Sequence, residues 1–480
     1  MNQPAPEARA VIETELYAAD RNIYARAVAG WFAAWRWALV WATQLVFYGG
    51  AWLTWNGRQA ILFDIVHRKF YIFGLVFWPQ DIIYLAVLLI VAALSLFLFT
   101  AVAGRLWCGY ACPQTVYTEI FMWIERAIEG DRLQRMKLDG AAPSGRKLGL
   151  KAAKHAAWIA LALWTGFTFV GYFTPVRELA REVTTLWAWI GGGPDPALGP
   201  WETFWILFYG FATYGNAGWM REQVCLYMCP YARFQSAMFD KDTLIITYDP
   251  ERGEPRGGRS KAADRRALAL GDCVDCNICV QVCPTGIDIR EGLQYQCIGC
   301  AACIDGCNQV MDRMGYPRGL IRYSTQNAME RKLTRKQMLA HTFRARVLVY
   351  TAVVWGVIIA AAIGLYVRAP LKVDVIRDRA AIAREVEGGD LENVYQLRVM
   401  NTSERERYFD VEVMGLPGIR IEGDMHFAVD RAGSRLVPMR VRVHAQPGTA
   451  APGAHRIEFL VHAHDAPSVY VREKSVFIVR

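Results

Sequence analysis

Residues 273–284 read CVDCNICVQVCP, and residues 297–308 read CIGCAACIDGCN. Both runs have the spacing C-x2-C-x2-C-x3-C, which is typical of bacterial proteins that hold two [4Fe–4S] clusters. In such proteins each run gives three thiolates to one cluster and its fourth thiolate to the other. The sequence therefore predicts two ligand sets, one of Cys273, Cys276, Cys279 and Cys307 and one of Cys297, Cys300, Cys303 and Cys283. Zinc is the alternative, but four-cysteine zinc sites use paired C-x-x-C knuckles instead of triple runs.

The apolar residues of this chain are gathered in blocks. They make up 54% of its 480 residues, and five blocks approach the roughly 20 residues that a helix needs to cross a bilayer. Trp and Tyr cluster at the ends of the blocks, as residues that anchor a helix at the membrane interface do. The sequence therefore predicts an α-helical membrane domain of about five transmembrane helices, at residues 37–55, 82–103, 156–173, 201–219 and 347–367.

Basic residues in the loops predict which side of the membrane each segment faces. The connections 104–153 and 220–345 hold eight and eighteen Lys or Arg, whereas those after the first and third blocks hold three and two. Loops rich in Lys and Arg stay in the cytoplasm, and thiolates that bind iron need a reducing compartment. Both arguments place the cysteine runs in the cytoplasm, and five spans then place the C-terminal region in the periplasm. These loops also explain the formal charge of +9, so nucleic-acid binding is not predicted.

The C-terminal region shows a different pattern, in which apolar and polar residues alternate. The alternation is clear at Tyr395, Leu397 and Val399 and recurs in three later runs. A period of two predicts half-buried strands, and several strands in about 110 residues indicate an antiparallel sandwich of immunoglobulin type. The predicted fold is thus multi-domain, with an N-terminal cytoplasmic segment 1–36, a membrane domain 37–240, a ferredoxin-like insertion 241–343, a fifth transmembrane helix 344–368 and an all-β sandwich 369–480.

The four remaining cysteines form a repeated motif, C-x-x-x-C-P, that follows the second and the fourth predicted span. Residues i and i+4 share one face of a helix, so each pair would present two sulfurs, and the proline would bend the chain or expose a carbonyl. Sulfur ligands select Cu⁺, zinc or iron–sulfur species, and buried apolar cysteines are the alternative. The sequence predicts a metal centre that holds copper or a further iron–sulfur centre, formed by Cys108, Cys112, Cys225 and Cys229.

Two smaller features carry weaker signals. His462 and His464 alternate on one predicted strand with His455 nearby, which indicates a solvated surface, with a metal site as the alternative. The apolar stretch 61–78 contains charged residues, and we expect it to be an interfacial or re-entrant segment and not a further span.

Four stretches of the sequence resemble one known family, the CcoG/FixG cytochrome c oxidase accessory proteins of the membrane polyferredoxin type. These stretches are FWPQD (77–81), GRLWCGYACPQTV (104–116), residues 221–235 and the run through Cys307. The resemblance implies a multi-pass protein of the bacterial inner membrane that reduces Cu²⁺ to Cu⁺ for the assembly of cbb3-type cytochrome oxidase. It implies copper ions or a copper chaperone and oxidase assembly factors as partners.

In this hypothesis a cytoplasmic electron donor or quinol reduces the ferredoxin-like segment, and the cysteines of the C-x-x-x-C-P motifs are catalytic. Two other functions stay open. One is a quinol-linked electron-transfer subunit without copper chemistry, because quinol dehydrogenase subunits of periplasmic nitrate and nitrous-oxide reduction resemble the chain in both motifs. The other is an oxidase assembly scaffold whose sandwich domain binds an oxidase subunit.

Overall fold

The computed structural model describes residues 23–479 except 194, 196, 266, 379–382, 387–388 and 445–450. Most of the predicted N-terminal segment 1–36 therefore lies outside the described residues. The described chain divides into two compact units. The first unit consists of residues 23–40, 102–158 and 216–339, and the second consists of residues 41–101, 159–215 and 340–479.

The described α-helices are, in chain order, α1 Trp31–Gly50, α2 Ile82–Ala103, α3 Leu106–Tyr110, α4 Pro113–Glu129, α5 Arg132–Gly140, α6 Gly145–Val170, α7 Val176–Ile190, α8 Pro200–Thr213, α9 Arg221–Gln223, α10 Pro230–Met238, α11 Pro250–Gly253, α12 Ile278–Gln281, α13 Ala302–Met314, α14 Gln326–Glu330, α15 Arg335–Thr342 and α16 Ala345–Val367. Short 3₁₀ helices lie at Pro79–Asp81 and Ile289–Glu291, and π-helical turns lie at Tyr214–Met220 and Val224–Met228. The described strands are β1 Thr54–Trp55, β2 Arg58–Gln59, β3 Ile61–Asp64, β4 Lys69–Ile72, β5 Leu75–Phe77, β6 Ile245–Tyr248, β7 Ile321–Ser324, β8 Leu371–Arg377, β9 Arg384–Val386, β10 Asp390–Asn401, β11 Arg407–Met414, β12 Arg420–Glu422, β13 His426–Val429, β14 Ser434–His444, β15 Gly453–Ala463 and β16 Ala466–Val479.

Helices α2 and α16 are long and apolar enough to cross a membrane. Their most apolar windows have mean hydropathies of 3.0 and 2.3, and only 0% and 11% of those windows is buried within the protein. The core helix of a soluble protein would be covered by other elements. The uncovered apolar surfaces of these two helices therefore indicate that the protein associates with a membrane.

Helices α2 and α16 are antiparallel and are held together at both ends. Just before α2, the buried carboxylate of Asp81 forms ion pairs with Arg368 (2.6 Å) and Lys372, which follow α16. At the opposite end, Nη2 of Arg344 donates a hydrogen bond to the backbone oxygen of Ala101 (2.6 Å). These ion pairs give Asp81 a structural role, because a buried carboxylate requires paired charges.

The other three predicted spans are helical but do not combine the length and hydropathy of a membrane span. Residues 37–55 fall mainly in α1, residues 156–173 mainly in α6, and residues 201–219 in α8 and the π-helical turn after it. Helix α8 has only 14 residues, and α1 includes Arg36 and Gln44 among its apolar residues. Two candidate spans are present in the described residues, and the number of five stays a prediction.

The stretch 61–78 is not helical and is not a further span, as expected, while its interfacial or re-entrant position stays a prediction. It forms an antiparallel sheet of β3, β4 and β5. Its charged residues lie at the hairpin between β3 and β4, where Oδ1 of Asp64 accepts a hydrogen bond from the backbone N–H of His67 (2.9 Å). Phe63 and Phe70 are cross-strand partners with ring centroids 6.2 Å apart. The apolar residues therefore stabilise a local sheet.

The C-terminal strands form the predicted sandwich of two antiparallel sheets. One sheet has the order β12-β14-β10-β8 with β9 beside β10, and the other has the order β13-β11-β15-β16. Alternate side chains of both sheets fill one core, in which Tyr395, Phe409, Phe459 and Phe477 are fully buried. The hydroxyl of Tyr395 donates to the backbone oxygen of Val476 (2.9 Å), which satisfies its buried polar atom. The alternating pattern thus correctly predicted the core face of these strands.

The two cysteine runs fold as two similar turn–helix units in the first unit of the chain. Asn277 and Ala301, each directly after the second cysteine of its run, have φ values of 55° and 59° and precede α12 and α13. Strands β6 and β7 pair antiparallel. Their residues Ile246, Tyr248 and Ile321 belong to the apolar core that also contains residues of both cysteine runs. The left-handed turns bend the backbone around each group of cysteines.

Candidate metal centres

The first predicted ligand set surrounds one cavity. About 350 Å³ of space between the protein atoms is lined by apolar side chains and by Cys273, Cys276, Cys279 and Cys307. Arg290 lines the same cavity. Burial raises the pKa of the Cys279 thiol to about 11, although the guanidinium of Arg290 acts in the opposite direction. Four sulfurs converge here, three from the first run and one from the second.

The second predicted ligand set surrounds an adjoining cavity of about 330 Å³, lined by Cys283, Cys297, Cys300 and Cys303. Cys279 of the first set also reaches this cavity, so the two cavities share a wall. The structure thus brings together both groups of cysteines as the spacing predicted, with Cys283 and Cys307 exchanged between the runs. Their role as cluster ligands stays a prediction.

The donor set and its surroundings fit a thiolate-bound metal cluster. Burial, with smaller contributions from neighbouring cysteines, raises the pKa of both Cys297 and Cys307 to about 12. These thiols are neutral at pH 7 on their own, and a bound metal is needed to displace their protons. A [4Fe–4S] cluster takes four such thiolates, and each cavity offers four.

The two C-x-x-x-C-P motifs share a local structure that is not one continuous helix. Cys108 lies in α3 and Cys225 lies in the π-helical turn Val224–Met228, whereas Cys112 and Cys229 are the extended N-cap residues of α4 and α10. The prolines occupy the first turns of α4 and α10, where a missing N–H has no cost. The prediction of two sulfurs on one helix face is therefore corrected. Each second cysteine instead lies at a helix N-terminus, and burial raises the pKa of the Cys112 thiol.

Helix α4 binds the segment that leads into the second motif. Glu125 on α4 accepts hydrogen bonds from Arg135 (2.7 Å) and from Nη2 of Arg221 (3.1 Å). The side-chain amide of Gln114, also on α4, donates to the backbone oxygens of Asn216 (2.8 Å) and Arg221 (3.0 Å). The helix that begins after the first motif therefore holds the second motif beside it.

The cysteines of the two motifs are close enough to affect one another's charge. Burial raises the pKa of Cys108 to about 11, and negative charge at Cys112 and Cys229 acts in the same direction. Burial raises the pKa of Cys225 to about 12, and again the other three cysteines add to it. Four soft ligands thus lie in one region of the first unit, and soft sulfur ligands select Cu⁺, zinc or iron–sulfur species.

The first motif packs directly against the second ligand set. A β-carbon on Gly109 would lie 2.8 Å from the Cα and N atoms of Cys300. Cys108 contacts the small core that contains Cys300, and Cys225 and Cys300 line one cavity. The motif cysteines and the second ligand set therefore form a contiguous region.

Two polar residues of this region were not predicted from the sequence. Gln235 is fully buried, and its Nε2 donates to Sγ of Cys108 at 3.5 Å. Arg36 is 6% exposed, and its Nη1 donates to the backbone oxygen of Cys300 at 3.4 Å. An arginine next to an apolar block was a possible signal, because buried cations have specific partners. Gln235 carried no signal in the sequence.

Three regions of the chain match family profiles. Residues 220–326 match a 4Fe-4S dicluster domain, residues 85–129 match a 4Fe-4S binding domain, and residues 361–480 match the IG-like fold at the C-terminal of FixG. The prediction of two [4Fe–4S] clusters is confirmed, as is the immunoglobulin-like character of the sandwich. The match at 85–129 covers the first C-x-x-x-C-P motif.

Two proteins are similar to almost the whole chain. Protein RdxA of Cereibacter sphaeroides is 39% identical over 90% of this chain and 91% of its own length. Nitrogen fixation protein FixG of Rhizobium meliloti is 38% identical over 85% of this chain and 82% of its own length. The crystal structure of a FixG-related protein from Vibrio parahaemolyticus aligns with 24% of this chain and 99% of that chain, at 23% identity and a TM-score of 0.21.

Proposed function

Because the chain belongs to the FixG/Rdx family of iron–sulfur proteins, we propose that it is a cupric reductase that supplies Cu⁺ for the assembly of cbb3-type cytochrome oxidase. The broader function is established, since the chain is an iron–sulfur electron-transfer protein of FixG/Rdx type with two [4Fe–4S] clusters. One observation carries the specific proposal: Gly109 and Cys108 of the first motif pack against Cys300 of the second ligand set, and Cys225 of the second motif lines a cavity with Cys300.

The two ligand sets that line the cavities hold the clusters in this proposal. When bound, the clusters supply one-electron transfer. Because Gly109 has no side chain, the first motif contacts Cys300 directly. This contact keeps the second cluster site close to the proposed copper site. The buried guanidinium of Arg36 lies against the Cys300 carbonyl and stabilises added negative charge there.

The copper substrate binds Cys108, Cys112, Cys225 and Cys229. Their thiols lose protons to solvent when the metal binds. Each Cu²⁺ accepts one electron and leaves as Cu⁺, and a cytoplasmic reductant or membrane quinol supplies that electron; one quinol oxidised to quinone releases two protons and reduces two Cu²⁺. Thiolates are soft ligands that bind Cu⁺ better than Cu²⁺, so the site itself favours the reduced product. A copper chaperone is the proposed acceptor.

The proposed topology follows from the antiparallel helices. The end of α2 leads to the first C-x-x-x-C-P motif and lies beside the start of α16. The start of α2 lies beside the end of α16, from which the sandwich continues. We place the cysteines at the cytoplasmic face of the inner membrane and the sandwich in the periplasm, because the basic loops flank the cysteines.

Purified full-length protein with Cys108→Ser or Cys225→Ser tests the copper step. We expect copper reduction to fall at least about tenfold, or about 1.4 kcal/mol in the barrier, while about eight irons per chain are retained. Met228→Leu is the control, because Met228 is next to Cys229 but 56% exposed. Unchanged copper reduction in both cysteine variants would rule out the proposed site.

A quinol-linked electron-transfer subunit is the second candidate, and one cavity of the first unit favours it. About 1150 Å³ of space between the protein atoms is lined by Tyr24, His155, Trp158 and Trp219 together with a larger number of charged residues. The aromatic rings suit stacking with a quinol ring, and the charged side chains suit hydrogen bonds to its hydroxyl groups. Under the copper proposal, protein whose clusters have been reduced anaerobically, by dithionite or by duroquinol, should reduce added Cu²⁺ and lose the EPR signal of the reduced clusters. Reduction of the clusters by quinol, without copper reduction in a parallel assay, would favour the second candidate.

A further inference from the structure

Three neighbouring strands of the C-terminal sandwich place ionisable side chains side by side on the outer face of one sheet. Asp410 on β11 is the cross-strand partner of His426 on β13 and of His462 on β15. His464 lies in the turn directly after β15, and its imidazole reaches the carboxylate of Asp410. The residues that flank Asp410, Phe409 and Val411, face the core. The four polar groups thus lie together on the outer face of this sheet, and the core residues on either side of Asp410 determine which way its side chain points.

The Asp410 carboxylate is the centre of this group. Nδ1 of His426 donates to its Oδ1 at 2.7 Å, and Nδ1 of His464 donates to its Oδ2 at 2.9 Å. Nε2 of His462 lies 3.7 Å from Oδ2. The rings of His426 and His464 have centroids 5.0 Å apart, and Tyr408 stacks on His426 at an interplanar angle of 9°. The imidazoles are therefore held near the carboxylate in defined orientations.

We propose that Asp410, His426 and His464 bind a divalent transition-metal ion, with Cu²⁺ bound most tightly, and that His462 is available as a fourth ligand. Their ligand atoms all lie within 4.8 Å of one another. Two ligands at about 2.05 Å from a metal and at right angles are about 2.9 Å apart. The observed separations from Asp410 match that value, so small rotations of exposed side chains admit the ion.

The ligand types select the metal. Imidazole and carboxylate suit Cu²⁺, Ni²⁺ and Zn²⁺, and stability rises along the Irving–Williams order to a maximum at Cu²⁺. On binding, the Nδ1 protons of His426 and His464 move to Nε2, so both rings stay neutral while Nδ1 coordinates. Nitrogen and oxygen ligands hold the oxidised ion, whereas the proposed thiolate site favours Cu⁺. The chain therefore carries two kinds of copper ligands. The metal site itself does not depend on the proposed function; only the use of the bound ion by the protein rests on it.

A second histidine–aspartate pair in the same sandwich, His444 and Asp390, serves as a comparison for the Asp410 group. Nδ1 of His444 donates to Oδ1 of Asp390 at 2.6 Å, and the His444 side chain is 50% exposed, as is that of His426. Asp390 is also paired with Arg420, a fixed cation that competes with a metal ion. The ion pairs of Asp410 within the described residues are all with histidines. Of these two groups, the Asp410 group combines several imidazoles with a carboxylate that forms no ion pair with an arginine among the described residues.

The test uses full-length protein in which Cys108, Cys112, Cys225 and Cys229 are all replaced by serine, so that the proposed thiolate site neither binds nor reduces Cu²⁺. One equivalent of Cu²⁺ is titrated against a competing chelator, and the Cu²⁺ EPR spectrum is recorded on the protein with oxidised, EPR-silent clusters. We expect one Cu²⁺ per chain with hyperfine splitting from at least two nitrogens. His426→Ala and His464→Ala should each weaken binding at least about tenfold, or about 1.4 kcal/mol.

His444→Ala is the matched control and should leave both affinity and spectrum unchanged. His426→Gln, which keeps the size and polarity of the exposed side chain, guards against a folding defect and should weaken Cu²⁺ binding to the same extent. Equal affinities in the parent and in a His426→Ala/His464→Ala variant would overturn the site. If the quadruple serine variant binds Cu²⁺ as expected but the protein with intact motif cysteines shows no copper reductase activity, the site stands and the proposed function fails, so the two failures are distinguishable.

Discussion

Gly109 and Cys300 are in direct contact, because a β-carbon on Gly109 would lie 2.8 Å from the Cα and N atoms of Cys300. Gly109 belongs to the first C-x-x-x-C-P motif, and Cys300 belongs to the second predicted ligand set. The atoms that a side chain would meet are backbone atoms and cannot rotate away. The glycine thus sets the distance between the copper site that we propose and the nearer cluster site.

Gly109→Ala should disturb this contact. We expect a cost of about 1–3 kcal/mol from overpacking, a changed EPR signal for one of the two clusters, and copper reduction lowered at least about tenfold. Gly149→Ala is the matched control, because Gly149 is also helical but has nothing within 4 Å of the added carbon. Equal activity of the two variants would contradict a role for the contact in electron transfer.

The exchange of one cysteine between the two runs can be tested by alanine variants. Cys307→Ala should alter the same cluster signal as Cys276→Ala, and Cys283→Ala should alter the same signal as Cys300→Ala, because these pairs line common cavities. Iron should fall from about eight to about four per chain in each variant. EPR of the reduced proteins, with iron analysis, makes the measurement. If Cys307 instead groups with Cys300, the assignment from the cavities is wrong.

The nature of the centre at the C-x-x-x-C-P motifs is decided by counting iron. With copper as the substrate there, replacing all four motif cysteines by serine leaves about eight irons per chain. A further [4Fe–4S] cluster would instead give about twelve irons in the parent and about eight in the variant. We expect eight in both. The family profile at residues 85–129, described as a 4Fe-4S binding domain, makes this comparison decisive for the copper proposal.

The cysteine arrangement was predictable because its spacing encodes its geometry. In each run the three cysteines joined by C-x-x-C spacing can bind one cluster, and the fourth cysteine is placed to bind the other. The two cavities have the linings that this spacing predicts. The alternating residues Tyr395, Leu397 and Val399 likewise predicted the core face of the sandwich. In both regions the residues on which the prediction depends lie close together in the sequence.

Relationships between distant residues were not predictable. The contact of Gly109 with Cys300 and the hydrogen bond of Gln235 to Cys108 depend on tertiary packing that no local pattern reveals. His462 and His464 were visible as alternating residues, but the carboxylate that groups them, Asp410, comes from another strand through the sheet register. The helix break before each C-x-x-x-C-P proline was missed because the i, i+4 spacing alone favours one continuous helix.

Glu392 should make the sandwich less stable in acid. It is 1% exposed on β10 and accepts hydrogen bonds from Nε of Arg384 and Nε of Arg442, both at 2.7 Å. Burial alone would raise the pKa of Glu392, but the two guanidinium groups hold that pKa below its ordinary value of 4.5. The folded pKa is lower than the unfolded one, so the stabilisation is fully present above pH 4.5 and is lost as the pH falls through the folded pKa.

Glu392→Gln should therefore destabilise β10 and β14 by about 1–3 kcal/mol at pH 7, and the difference from the parent should shrink below pH 4.5. Hydrogen–deuterium exchange of these strands in the full-length protein, corrected for the pH dependence of intrinsic exchange, gives both values. Glu412→Gln is the control, because Glu412 is exposed on β11, and it should change stability by less than about 0.5 kcal/mol. A difference between the Glu392→Gln variant and the parent that stays constant from pH 7 to pH 3 would show that the charge of Glu392 does not carry the stabilisation.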